Sequence, residues 1–88
     1  MPATNKNSVV ESRLAELRAE LSDVNETLRR IDEAIATLQR QAEADPEFAQ
    51  DAEYLDRMTV EGGRKRIMDR RKSEIEAEIS RLESAKAL

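Results

Sequence analysis

Between Val10 and Ala42, apolar residues recur at alternating spacings of four and three. They are Val10, Leu14, Leu17, Leu21, Val24, Leu28, Ile31, Ile35, Leu38 and Ala42. A period of 3.5 places them all on one narrow stripe of a single helix. Such a stripe needs another helix against it, from the same chain or from a partner. Ser8-Val9-Val10-Glu11 fits a capping box and predicts the helix start at Ser8, after a loose tail over 1–7. Neither Gly nor Pro interrupts Val9 to Ala44.

Asp45-Pro46 ends this helix and opens the next. Proline pushes the preceding residue out of the α region and is pre-organised for a first helical turn, with Asp45 as N-cap. A connection this short makes the two arms antiparallel neighbours. Residues whose numbers sum to about 90 then face each other. Phe48 meets Ala42, Leu55 meets Ile35, and Met58 meets Ile31. Met68 meets Leu21, Ile75 meets Leu14 or Leu17, and Ile79 meets Val10. The expected fold is an all-α antiparallel helical hairpin, a coiled coil within one domain over 8–88.

The second arm is less regular. On a straight helix Phe48, Ala52, Leu55 and Met58 share one face, while Met68, Ile75, Ile79 and Leu82 share another about 150° away. The change falls at Gly62-Gly63, and each glycine costs a helix ~1 kcal/mol relative to Ala. This predicts a second arm broken at that pair, giving helices at about 8–44, 46–61 and 64–86. The expected seam is therefore the first-arm stripe together with Phe48, Leu55, Met58, Met68, Ile75, Ile79 and Leu82.

Composition agrees with a coiled coil. Aromatic content is 2% and charged content 39%, which leaves little bulk for a globular core. With so little core, a lone hairpin is marginal, and a homodimer or higher homo-oligomer is expected. The chain has no Cys, His or Trp, which excludes thiolate or imidazole ligation and Cys or His catalysis. No apolar run approaches the ~20 residues of a membrane span, and Met1–Asn7 does not resemble a signal or transit peptide. A cytoplasmic, non-enzymatic protein without cofactor, metal or small-molecule substrate is the expectation.

Three groups of residues could meet a partner. From Gln41 to Asp56 there are six acids and no base, with Asp45, Glu47, Asp51 and Glu53 at the turn. They either present carboxylates to a basic partner or form a solvated, capped turn. No EF-hand spacing accompanies them. Arg64-Lys65-Arg66-Ile67-Met68-Asp69-Arg70-Arg71-Lys72 holds six bases and one acid, so Arg64, Arg66, Arg70 and Arg71 are phosphate-binding candidates. On a helix these bases spread round the circumference, and the hairpin sets them beside Glu20, Asp23 and Glu26. A net charge of −4 also opposes nucleic-acid binding, for which no aromatic interleaving is present. Tyr54, off the Phe48/Leu55 face, is either a surface anchor or padding at the seam edge.

Asp51-Ala52-Glu53-Tyr54 after an acidic turn resembles the hairpin tip of Gre-type transcript cleavage factors, with Gly63-Arg64 and Ile75-Glu76-Ala77 echoing the return helix. The resemblance implies insertion of the tip into the secondary channel of RNA polymerase. The family's tip acids would fall on Glu47 and Gln50, the second of which is not an acid, and its C-terminal globular domain has no counterpart here. The residues read most directly as a coiled-coil protein acting by binding another protein. Adaptor, assembly factor and small inhibitor, including a phage-encoded one, all fit.

Overall fold

The computed structural model describes residues 6–87, which form a helical hairpin. Helix α1 spans Lys6–Ala44, α2 is the single turn Pro46–Ala49, and α3 spans Ala52–Ala87. At 1.5 Å per residue the 39-residue α1 is about 58 Å long. Each long arm has the other as its main neighbour. No helix among the described residues is long and apolar enough to cross a membrane.

Helix α1 is already formed at Lys6, so Ser8 lies inside it and is not its N-cap. The expected loose tail therefore loses Lys6 and Asn7 to the helix, while residues 1–5 lie outside the described ones. At the other end, Asp45 is extended (φ −137°, ψ 95°) and its Oδ1 accepts from the Glu47 amide at 3.1 Å. Pro46 follows at the first position of α2, where a missing N–H costs nothing.

The second arm does break, but not at the glycines. The break falls at Gln50-Asp51, where Asp51 Oδ1 accepts from the Glu53 amide at 2.9 Å and caps α3. Helix α3 then runs unbroken through Gly62-Gly63, with no positive φ at either. Two glycines weaken a helix without forbidding it, and this one is carried across them by its length and its partner arm.

The face change expected in the second arm is also absent. The side chains of α3 that are at least half-buried beside the seam run Tyr54, Met58, Glu61, Lys65, Met68, Lys72, Ile75, Ile79 and Leu82. Their spacing alternates four and three throughout, so α3 carries one continuous stripe with three charged members. Leu55 is not on it, being 54% exposed. Tyr54, one residue earlier, takes the place assigned to Leu55, because α3 begins after the extra turn of α2.

Leu14, Leu17, Val24, Leu28, Ile31, Leu38 and Ile75 are buried. Leu17, Val24, Leu28 and Ile75 form one cluster, against which Leu21, Met68, Ile79 and Leu82 pack. Val10, Ile35, Phe48 and Met58 are half-buried. The register departs only in part from the one a minimal turn would set. Arg13–Glu78 and Arg71–Glu20 sum to 91, close to 90, whereas Lys65–Asp32 and Lys86–Glu11 sum to 97, so some pairings of α3 lie up to about seven residues beyond the expected ones. Helix α2 and the Gln50-Asp51 bend take up the extra length.

Candidate docking surfaces on the hairpin

The basic run sits midway along α3, and the structure disperses it. Arg71 binds Glu20 across the seam, Lys65 Nζ lies 2.9 Å from Asp32, and Arg64 lies 3.2 Å from Glu61 within α3. Of the three acids expected beside the run, only Glu20 serves it, since Glu26 pairs with Arg29 and Arg30 of its own helix. Among the described residues, Arg66 and Arg70 make no ion pair. Further cross-arm pairs, Arg13 with Glu78 and Arg18 with Glu83, lie toward the open end. Glu78 and Glu16 hold the Arg13 guanidinium above its ordinary value, chiefly through the hydrogen bond from Arg13 to Glu78.

The acidic residues gather at the closed end. Asp45, Glu47, Asp51 and Glu53 are all exposed. Two of them cap helices, and Glu53 lies 2.6 Å from Arg57, which leaves Glu47 at the tip without an ion pair among the described residues. Tyr54 and Phe48 meet edge to face with ring centroids 5.3 Å apart, and both are half-buried. This contact ties α2 to α3. Tyr54 also shares a shallow cleft with Ala42, the position assigned to Phe48. Among the described residues no group of acids is placed to hold a metal ion.

Apolar periodicity missed a third surface. Val60 and Ile67 are 58% and 64% exposed on α3, on a flank that faces away from the seam. Beside Val60 lies an open groove of about 540 Å³, walled by Ala34, Thr37, Leu38 and Gln41 of α1 and by Asp56, Arg57, Val60 and Glu61 of α3. Between Val60 and Ile67 stands Gly63. A Cβ built on Gly63 or on Gly62 would meet nothing within 4 Å. Neither packing nor backbone conformation within the hairpin therefore asks for glycine at these positions. The signal for this surface was present as two β-branched residues seven apart, outside the seam pattern.

No protein family, curated protein or solved structure matches this chain.

Proposed function

We propose that this chain is a non-enzymatic helical hairpin that self-associates and acts by binding another protein through its outer helix faces. The observation that carries this reading is the exposed Val60/Ile67 flank beside the groove. Solvent contact of two large aliphatic side chains next to a concave surface is the pattern of a docking site. The charged groups stand on open helix surfaces where water screens them, which suits recognition better than proton transfer.

A photo-crosslinking residue at Val60 tests the reading in the source cell. A discrete adduct at Val60 with a protein other than a second copy of this chain, absent with the same probe at exposed Glu76, supports it. Equal labelling at both positions would defeat it.

A second reading follows from the concentration of exposed carboxylates at the end of a long, narrow rod. Such a tip fits a basic channel, of the kind the Gre-type resemblance implies in RNA polymerase. Glu47 is the acid available for it. Nucleic-acid binding is the weakest reading, because Arg64, Lys65 and Arg71 are already matched to acids of the same chain.

A further inference from the structure

On the outward side of α3, Asp56, Val60, Gly63, Ile67 and Arg70 are spaced four, three, four and three. They form a second stripe, opposite the one that meets α1. Its order is self-complementary. Asp56 and Arg70 each stand seven residues, two helical turns, from Gly63, with opposite charges. Val60 and Ile67 lie just inside them on either side. Turning a second copy of α3 antiparallel about Gly63 therefore sets Val60 beside the other copy's Ile67, and Asp56 beside its Arg70, twice over.

We infer that this stripe is the self-association surface, an antiparallel two-fold crossing of α3 on α3 centred at Gly63. The inference deepens the self-association proposed above and rests on it. Three independent features of the hairpin converge here. Gly63 has open space where its Cβ would be, so the hairpin itself gives no reason for glycine, whereas a second backbone crossing close by does. Among the described residues, the side chains of Asp56 and Arg70 have no ion-pair or hydrogen-bond partner. Of the neighbouring arginines that would repel across a two-fold axis, three are matched to an acid of their own chain, Arg57 to Glu53, Arg64 to Glu61 and Arg71 to Glu20, and Arg66 is not.

The groove beside Val60 adds a receptacle. Asp56 and Val60 line it, so the second copy's Ile67 arrives at its lip while Arg70 reaches Asp56. The interface is isologous, and each copy supplies both halves of every contact. A single helix crossing is at the small end of specific interfaces, so the dimer forms in the micromolar range and above.

Sedimentation equilibrium of the full chain, from tens to hundreds of micromolar, reads the association. The wild type is expected to approach a dimer. Gly63→Leu, whose side chain has free space in the hairpin, is expected to be monomeric with undiminished helicity by circular dichroism. Asp56→Arg and Arg70→Asp are each expected to weaken the dimer about tenfold or more, and the double change to restore it to within about threefold. A chain carrying Val60→Cys and Ile67→Cys should form a covalent dimer on mild oxidation. A wild-type dimer that is indifferent to Gly63→Leu and to both charge reversals overturns this interface and leaves self-association through another face. A wild type that is monomeric throughout overturns both.

Discussion

Lys65 Nζ lies 2.9 Å from Asp32 Oδ1, joining the arms at a position of the α3 stripe that carries no apolar residue. The Asp32 carboxylate holds the Lys65 ammonium above the ordinary lysine value of 10.5, first through the hydrogen bond and then through charge attraction. A folded value raised above the unfolded one gives stability that is complete below the unfolded value and is lost as pH rises through the folded one. The thermal midpoint of the wild type should therefore exceed that of Asp32→Asn at neutral pH, and the gap should close above pH 10.5. A gap that persists undiminished at alkaline pH would remove the pair from the account.

Lys72 occupies a seam position of α3 where a heptad would place an aliphatic residue. Its stem already lies along the seam while its charge stays in water. Lys72→Leu should raise unfolding stability by about 1 kcal/mol, the value of a few additional buried methylenes. Urea denaturation reads the change directly.

The seam and the outer faces should differ sharply in sensitivity. Leu17 and Ile75 are 0% exposed, so either one changed to Ala should cost about 2–5 kcal/mol. Leu28→Asp should unfold the hairpin outright by burying an unpaired charge. Leu55→Ala, on an exposed side chain, should stay within about 0.5 kcal/mol of the wild type. Equal sensitivity at Leu55 and Leu17 would contradict this seam.

Gly62 sits inside α3 with open space around its Cβ position. Gly62→Ala should then stabilise the helix by about 1 kcal/mol, which a rise in the urea midpoint would register. A loss of stability would mean that the backbone at Gly62 needs a conformation other than the helical one.

The caps at the turn can be separated from its charge. Asp51→Ala should cost about 1 kcal/mol by freeing the Glu53 amide, and Asp51→Asn should recover most of it. Glu47 caps nothing, so Glu47→Lys should leave the melting midpoint unchanged. If the tip enters a basic channel, Glu47→Lys removes binding to RNA polymerase in a direct binding assay, whereas unchanged affinity rules that use out.

The first arm is legible from its sequence because every stripe position from Val10 to Ala42 is apolar and the 4–3 spacing never slips. The return arm is not, because Glu61, Lys65 and Lys72 hold seam positions. With those three overlooked, Leu55 looks like a member and the apolar face seems to rotate at Gly62-Gly63. Long side chains resolve the conflict physically: a lysine can cover a seam with its stem and still keep its ammonium in water. The register was hidden for a different reason. Asp51-Ala52-Glu53 is a second capping sequence only a few residues after Asp45-Pro46, and the turn it adds shifts some cross-arm pairings, such as Lys65 with Asp32, while Ile75 still meets Leu17. The outward stripe of α3 is harder to see in the sequence because its two apolar residues, Val60 and Ile67, fall outside the seam period.

On the return arm, the fully buried residue is Ile75, remote from the turn, whereas Tyr54 and Met58 near the turn are only half-buried. The ion pair of Arg13 with Glu78 likewise joins residues 65 positions apart. Closing so long a loop costs conformational entropy before its contacts return anything. A zipper that starts at the turn gains little from its first steps and meets Glu61 and Lys65 next. Folding is therefore slower than the local character of its helices suggests, with the barrier set by docking of the far ends. In this hairpin the open end holds the turn shut.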